Sequence, residues 1–268
     1  VLYNPENRGV GGAIVTAYKA ALADGMDIVV KIDGDGQMNP ALLPLFVRPL
    51  LRGQADYTKG SRFYRPESVQ GMPPMRLFGN AVLSFLTKLS CGYWNIMDPT
   101  NGYTAIHTGV LAELPLDKLE RRYFFETDML FRLNTVRAVV RDIPMDSVYA
   151  DEESNLKIGR VLPEFIKKHA SRLARRYAYS YLIRDFNVGS IYSIFGLLLL
   201  LAGGLFGVLH WINSAQASLP ATSGTVMLAA LPVLIGIQFL VAFLHYDVSS
   251  VPTEPLSLYL HPEELQGR

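Results

Sequence analysis

Two carboxylates stand two residues apart in the segment Asp27 to Pro40, which reads DIVVKIDGDGQMNP. Asp33 and Asp35 follow an apolar run, Ile28 to Ile32, that predicts a buried strand and contains one lysine. Mg²⁺ and Mn²⁺ take oxygen ligands and are commonly shared between one or two carboxylates and substrate phosphates. The pair therefore suits a metal bound to a diphosphate, although Asp-Gly pairs also simply form turns.

Cationic side chains follow the next predicted strand, Ala55 to Lys59. Arg62 ends a Gly-Ser-Arg sequence, and Arg76 lies farther along a loop rich in Pro and Gly. A guanidinium group can hold a phosphate bidentately, so both arginines are candidate phosphate ligands. A solvated basic loop is the alternative for both. Ser154 and Lys157, in a later polar loop, could also reach a phosphate.

Three further acids stand in a turn or at the start of a helix. Asp98 lies in the sequence DPTNGY. It is either a turn residue, as Asp before Pro commonly is, or an acid placed over the site. Glu126 and Asp128 lie at the start of a predicted helix, Thr127 to Thr135, where acids also favour the helix dipole without any function. Each acid is thus open to a structural and a functional interpretation.

The predicted elements place the carboxylate pair at one edge of a sheet. Val1 to Tyr3 could end a short strand, and a helix from Ala13 to Ala23 comes before the strand that ends at Asp33. This order predicts a βαβ unit with parallel strands. Ligands of such sheets bind beyond the carboxyl ends of the strands. The segment Ala138 to Tyr149 contains a proline and predicts an edge strand.

Composition divides the chain into a globular part and an apolar part. Charged residues make up 18% of the sequence and the formal net charge is +1, which argues against a disordered chain and against a nucleic-acid binder. Residues 1–186 carry charges throughout, whereas residues 187–246 carry almost none. The single cysteine, Cys91, excludes an intrachain disulfide and suits a reducing cytoplasm.

Two uncharged stretches are long enough to cross a membrane. Ser190 to Leu209 and Val226 to Leu244 each span about twenty residues, enough for a ~30 Å hydrocarbon core at ~1.5 Å per residue. Residues 159–186 hold seven Lys or Arg interleaved with apolar residues. They predict a juxtamembrane helix on an anionic surface or, alternatively, a basic exterior helix of the globular domain. The loop between the spans has no Lys or Arg, so the positive-inside rule places the globular part and the tail in the cytoplasm.

Taken together, these features resemble family 2 glycosyltransferases of the GT-A fold. The resemblance covers nearly the whole chain and rests on these segments, in this order, before the two spans: NRGVGGA, DIVVKIDGDGQMNP, GSR, DPTNGYTA, FFETDML and SNLKIGR. The most similar branch is that of the polyprenyl-phosphate glycosyltransferases, which includes dolichol-phosphate mannose synthase and bacterial undecaprenyl-phosphate glucosyltransferases. Members normally begin with two further strands, ending in Pro-x-Tyr-Asn-Glu and in an Asp-rich turn. We therefore expect an N-terminal part of the family domain to be absent here.

The resemblance and the composition together predict the organisation of the chain. The fold class is α/β, with a GT-A (Rossmann-like), mostly parallel sheet in a catalytic domain, incomplete at its N-terminus, over residues 1–158. Basic amphipathic juxtamembrane helices follow at 159–186. A transmembrane hairpin at 187–246, with spans at about 189–211 and 224–245, leads to a cytoplasmic tail at 247–268.

The resemblance also implies roles for individual residues. Asp33 and Asp35 would bind Mg²⁺ or Mn²⁺ and the donor diphosphate, with Gln37 nearby. Four residues would meet the acceptor phosphate: Arg62, Arg76, Ser154 and Lys157. The candidate bases are Asp98, ranked slightly first, and the acidic pair Glu126 and Asp128.

The predicted function is the inverting transfer of a sugar from a UDP- or GDP-linked donor to undecaprenyl or dolichyl phosphate, at the cytoplasmic face of a bacterial inner membrane. A bound cation would lower the barrier as charge builds on the leaving diphosphate. The acceptor phosphate is already an anion near neutral pH and hardly needs a strong base. Two alternatives are a processive polysaccharide synthase, whose Gln-x-x-Arg-Trp motif does not occur here, and a non-catalytic membrane adaptor with a degenerate domain. A homo-oligomer is left open.

Overall fold

The computed structural model describes three ranges of the chain: 1–64, 74–146 and 158–260. Within them, the side chains of residues 74–76 and 158–162 are not described. The chain divides into two compact units. The first unit comprises residues 1–176 and 251–268, and the second comprises residues 177–250. The acids predicted to form the site belong to the first unit, and the two apolar stretches belong to the second.

A four-stranded sheet forms the centre of the first unit. Its strands are β1 (Ile28–Lys31), β2 (Tyr57–Ser61), β3 (Thr104–His107) and β4 (Val140–Pro144). Their order is β1-β3-β2-β4. Three strands point the same way, and β3 runs antiparallel to both of its neighbours, β1 and β2. The predicted α/β class with mostly parallel strands is confirmed in strand direction, but β3 separates β1 from its parallel partner.

The register of the strands places four polar residues in one row across the sheet. Lys31 of β1 and Lys59 of β2 both lie opposite Thr104 of β3, and Asp142 of β4 lies opposite Lys59. Residues that are paired across neighbouring strands point to the same face of the sheet. The two lysines therefore approach one another on a single face, at the carboxyl end of β1.

Helices cover both faces of this sheet. They are α1 (Gly9–Ala23), α2 (Leu43–Leu51), α3 (Pro74–Cys91), α4 (Thr108–Ala112), α5 (Phe125–Thr135) and α6 (Ile158–Tyr177). The predicted helix over 13–23 is confirmed and begins four residues earlier, at Gly9. The predicted strand end at Val1 to Tyr3 is wrong: these residues are exposed and irregular. The predicted edge strand is confirmed, because β4 pairs only with β2 among the described strands and ends at its proline.

The two faces of the sheet bury separate apolar clusters, because successive side chains of a strand point to opposite faces. On β3, Ile106 packs into the cluster that contains Met129 and Leu133 of α5. Its neighbour Ala105 packs into the other cluster, beside Phe46 of α2. Helix α5 therefore covers the face of the sheet on which the polar row lies. The first turn of α5 brings an acid to that row.

The second unit contains two long helices, α7 (Val188–Ala217) and α8 (Ser223–Ser249). Their most apolar windows have mean hydropathies of 2.2 and 2.5, so both helices are long and apolar enough to cross a membrane. The predicted spans at 189–211 and 224–245 lie within them. Before α7 comes a π-helix (Ala178–Ile183), from which Tyr181 packs its ring against Phe243 and Tyr246 of α8. Aromatic residues in such a belt are typical of the membrane–water interface.

The chain after α8 packs back on the first unit. Helix α9 (Ser257–Leu260) follows an irregular segment that begins at Val251. The backbone N–H groups of Leu256 and Ser257 each donate to the carboxylate of Asp56 at 2.8 Å, and Val139 N donates to the same carboxylate at 2.7 Å. The described part of the predicted tail is thus held by a buried acid of the globular unit.

Candidate active site

Two lysines from the polar row hold one glutamate between them. Lys31 Nζ lies 2.9 Å from Oε1 of Glu126, and Lys59 Nζ lies 3.2 Å from Oε2 of the same carboxylate. Lys59 is fully buried, and the other two side chains are mostly buried. Charged groups in such surroundings must be paired, since an isolated buried charge is very costly. Glu126 therefore reaches the sheet as the counter-charge of two ammonium groups.

Lys31 also contacts the first acid of the Asp-Gly-Asp-Gly turn. Its Nζ lies 2.9 Å from Asp33 Oδ1. Burial alone would lower the pKa of Lys31, but the neighbouring charges of Glu126 and Asp33 outweigh burial, and the pKa lies above its ordinary value. Lys31 is thus an ammonium group at neutral pH.

The other oxygen of Asp33 packs against the turn at residues 98–102. A Cβ atom built at Gly102 would lie 1.9 Å from Asp33 Oδ2 and 2.8 Å from Lys31 Nζ. A glycine is required at this position, because any side chain would displace the acid or the lysine. The Asp-Gly-Asp-Gly turn that contains Asp33 and Asp35 (the carboxylate turn) is therefore in direct contact with the 98–102 turn.

Both lysines also bind the backbone of the 98–102 turn. Lys31 Nζ donates to Gly102 O at 2.9 Å, and Lys59 Nζ donates to Asn101 O. These bonds fix the turn against β1 and β2. The two lysines therefore hold the end of the turn against the sheet.

Asp98, the first residue of this turn, forms a bidentate ion pair with Arg62. Arg62 Nε lies 2.7 Å from Oδ2 and Nη2 lies 3.1 Å from Oδ1 of the carboxylate. Thr100 Oγ1 also donates to Oδ1, at 3.3 Å. Asp98 is buried, whereas 23% of the Arg62 side chain is exposed. The carboxylate thus orients the guanidinium group at the end of β2, and both of its oxygens accept hydrogen bonds.

The second acid of the carboxylate turn is exposed. Asp35 Oδ1 accepts a hydrogen bond from the backbone N–H of Gln37 at 3.0 Å, which stabilises the turn. Across the described ranges, no cluster of three or more His, Cys, Asp or Glu could hold a metal ion. Two carboxylates on a solvent-facing turn still fit Mg²⁺ or Mn²⁺, because these ions complete their coordination with water and substrate phosphates. The donor set available here is Asp33 and Asp35.

Asp142 completes the polar row on β4. Its Oδ2 accepts from the backbone N–H of Met97 at 2.6 Å, and its buried Oδ1 has no hydrogen-bond partner in the described part of the chain. Burial raises the pKa of Asp142 to about 7, with a smaller contribution from the charge of Asp98. A carboxyl group whose pKa lies near neutral pH is therefore located next to the turn that carries Asp98.

Asp128 is not joined to this network. It is fully buried and accepts from Arg132 Nε at 3.0 Å, from Arg172 Nε at 2.6 Å and from the backbone N–H of Glu120 at 3.0 Å. These contacts fasten α6 to α5. The remaining predicted ligands, the side chain of Arg76 and residues Ser154 and Lys157, lie outside the described residues.

Sequence reasoning found the acids of the network and missed the groups that hold them. Lys31, Lys59 and Gly102 were not singled out as site residues. A lysine inside an otherwise apolar strand was an available signal, since lysine is almost never fully buried without a partner. The role of Asp142 had no comparable signal, because it depends on the pairing of β4 with β2.

Comparison with known proteins gives a family similarity for the first part of the chain. Residues 1–114 match the sequence model of Glycosyl transferase family 2. This part of the chain is therefore similar to family 2 glycosyl transferase domains. The matched range runs from α1 through α4 and contains Asp33, Arg62 and Asp98. The predicted family resemblance is confirmed over this range.

Two similar relatives act on polyprenyl phosphates, as their names state. The UDP-N-acetylglucosamine–dolichyl-phosphate N-acetylglucosaminyltransferase of Methanococcus voltae is 31% identical over 158 residues, which cover 58% of this chain and 62% of the relative. The undecaprenyl-phosphate mannosyltransferase of Micrococcus luteus is 27% identical over 167 residues, covering 62% of this chain and 68% of the relative. The chain thus spans about three fifths to two thirds of the length of these relatives.

Solved structures similar to this chain include glucosyl-3-phosphoglycerate synthase from Mycobacterium tuberculosis. In its complex with Mn²⁺, UDP-glucose and phosphoglyceric acid, that protein is 21% identical, with a TM-score of 0.43. The similarity covers 65% of this chain and 57% of that structure.

Proposed function

We propose that this domain transfers a sugar, with inversion, from a nucleotide-sugar donor to a polyprenyl phosphate. The observation that carries the proposal is the continuous network from Asp33 through Lys31 to the 98–102 turn and from there to Arg62. It connects a carboxylate suited to a metal-bound diphosphate with a guanidinium group suited to a second phosphate. The names of the relatives support a polyprenyl phosphate as the acceptor.

On the donor side, Asp33 and Asp35 would hold a divalent cation together with the diphosphate. The cation would neutralise the negative charge that develops on the leaving nucleoside diphosphate. The protein's own contribution is orientation: Lys31 and Gly102 fix the side chain of Asp33, and the Asp35 turn is closed by the N–H of Gln37. We therefore assign the donor to the carboxyl end of β1.

On the acceptor side, Arg62 would orient the lipid phosphate and Asp98 would orient Arg62. A phosphate monoester has a second pKa near 6, so the nucleophilic oxygen is largely ionised at neutral pH. Asp98 has both oxygens engaged by donors, and Glu126 is neutralised by two lysines. Neither arrangement favours a general base. In this proposal, Asp98 and Glu126 are positioning residues and Asp128 is structural.

The second unit would anchor the domain to the membrane in which the acceptor lies. Both ends of the helical hairpin continue into the first unit, at residue 176 and at residue 251, as expected for a chain that crosses the bilayer twice. Lys and Arg residues are frequent before the first span and absent from the loop between the spans. By the positive-inside rule, the catalytic unit faces the cytoplasm. Keeping enzyme and lipid at one surface raises their effective concentration.

The proposal is tested by sugar transfer to lipid. The full chain in detergent would be incubated with labelled UDP- or GDP-sugars, undecaprenyl or dolichyl phosphate, and Mn²⁺, Mg²⁺ or EDTA. We expect one sugar per lipid, in a metal-dependent reaction that Asp33→Asn and Asp35→Asn slow about 100-fold or more, because each removes charge stabilisation at the leaving group. Asp24→Asn, an exposed acid at the end of α1, is the matched control and should retain full activity.

The outcomes distinguish the competing functions. A product carrying many sugars would indicate a processive synthase. An absence of product with every lipid and nucleotide sugar would favour a non-catalytic adaptor. Full activity of both acid variants would contradict the assignment of the donor site.

A further inference from the structure

We propose that Lys31 is a positioning residue that keeps the affinity for a free divalent cation low until a diphosphate is present. Its ammonium group binds Asp33 at the place where a cation would otherwise be attracted. This inference rests on the proposed function, because it assumes that Asp33 is a metal ligand. It adds a dependence of cation binding on the diphosphate that the family similarity does not contain.

All three donors of the Lys31 ammonium group have acceptors at 2.9 Å. They are Asp33 Oδ1, Glu126 Oε1 and Gly102 O. Since an ammonium group has only three N–H bonds, these acceptors fix its position fully. Only 9% of the Lys31 side chain is exposed, against 36% for Asp33. The carboxylate of Asp33 is therefore more accessible to ligands from solvent than the lysine that holds it.

The charges of the cluster balance without a metal. Lys31 and Lys59 carry two positive charges, and Asp33 and Glu126 carry two negative ones. A divalent cation that approaches Asp33 meets a carboxylate whose charge is already neutralised by Lys31. The cation is also repelled by the Lys31 ammonium group, which is held in place. A diphosphate brings negative charge of its own, which offsets both the cation and Lys31. Cation and diphosphate are therefore expected to bind together.

The alternative is a purely structural explanation, in which Lys31 only neutralises the charge of Glu126 in the folded protein. Glu126, however, has Lys59 as a second partner at 3.2 Å, so Lys31 is not its sole counter-charge. The structural explanation also gives no reason for Lys31 to influence the affinity for a metal at Asp33. Metal affinity, measured without any substrate turnover, therefore separates the two explanations.

The experiment is a titration of Mn²⁺ into the detergent-solubilised full chain, with free Mn²⁺ followed by electron paramagnetic resonance. We expect Lys31→Met to bind Mn²⁺ alone at least 10-fold more tightly than the unaltered chain. Added UDP or GDP should narrow this difference. Lys31→Arg keeps the charge and should remain close to the unaltered protein. Lys19→Met removes a partly exposed lysine, paired with exposed Asp117, and should change nothing.

Unfolding temperatures accompany each titration. If Lys31→Met does not fold, the double variant Lys31→Met with Glu126→Gln removes one charge of each sign and is titrated in its place, with the same tightening expected. An affinity for Mn²⁺ alone that is unchanged or weakened in the folded variant overturns the inference. If the unaltered chain also binds no Mn²⁺ in the presence of UDP or GDP, the metal-dependent function fails with it. If Mn²⁺ binds normally with the nucleotide, that function stands and only the role of Lys31 is lost.

Discussion

One partly buried carboxyl group, Asp142, should control part of the pH dependence of stability. Its pKa in the folded protein is raised to about 7 by burial, whereas an aspartate in an unfolded chain has a pKa of about 3.9. Below pH ~4 the group is protonated in both states, so it contributes no difference. As the pH rises from ~4 to ~7, the unfolded chain ionises first, and the folded state loses stability relative to it. Above pH ~7 the full cost is present.

Asp142→Asn should remove this cost while its amide oxygen still accepts the hydrogen bond from Met97 N. The advantage of the variant over the unaltered chain should grow by roughly 2.5 kcal/mol between pH 5 and pH 8. Denaturant unfolding in detergent at several pH values measures it. Asp24→Asn, which replaces an exposed acid, should give a curve of unfolding free energy against pH that is parallel to that of the unaltered chain. Parallel curves for Asp142→Asn as well would show that Asp142 has an ordinary pKa.

At the level of residues, the sequence predicted the acids of the site better than their roles. Asp33, Asp98 and Glu126 were each singled out, and the structure joins all three in one network. Their partners depended on register: Lys31 and Lys59 lie 28 positions apart in sequence and meet because both pair opposite Thr104. That meeting follows from the insertion of β3 between β1 and β2, which no local pattern encodes. From the sequence alone, an acid that acts as a base was consequently not distinguishable from an acid that only forms an ion pair.

At the level of elements, long amphipathic segments were predictable and strand β3 was not. No element was predicted for the four residues Thr104–His107, although they form the antiparallel strand between β1 and β2. The basic residues of α6 show a second limit. Arg172 binds Asp128 at 2.6 Å, and Lys168 binds Glu120 at 2.8 Å, so part of the charge assigned to a membrane surface holds α6 to the globular unit. A membrane role for its other basic residues stays a prediction.

The attachment of α9 through Asp56 predicts that this one acid keeps the chain end in place. Asp56→Asn removes the charge from three backbone hydrogen bonds and turns an amide N–H₂ toward N–H donors. We expect it to lower the free energy of unfolding by roughly 3 kcal/mol. Hydrogen exchange should rise at Leu256 and Ser257 before global unfolding. Ser257→Ala is the matched control, because Ser257 contacts Asp56 through its backbone; it should stay close to the unaltered protein. Undiminished protection in Asp56→Asn would contradict this role.

At the level of the whole molecule, residues 251–260 return to the first unit, which restricts any membrane crossings between residues 176 and 251 to an even number. A hairpin whose two ends both continue into one folded unit must cross an even number of times. The predicted topology is therefore tested by asking whether the tail and the globular unit are reached from the same side. Cys91, the sole cysteine, is buried, so the chain offers a low background for thiol labelling.

Three single substitutions probe this topology in membrane vesicles with an impermeant maleimide: Asp24→Cys in the globular unit, Ser218→Cys between the spans and Glu254→Cys in the tail. All three positions are exposed. Because Lys and Arg are excluded from the loop between the spans, we expect Ser218→Cys to be labelled in right-side-out vesicles. The other two should be labelled only in inverted vesicles. Labelling of Asp24→Cys and Glu254→Cys from opposite sides would require an odd number of crossings, and it would also be incompatible with the hydrogen bonds of Leu256 and Ser257 to Asp56.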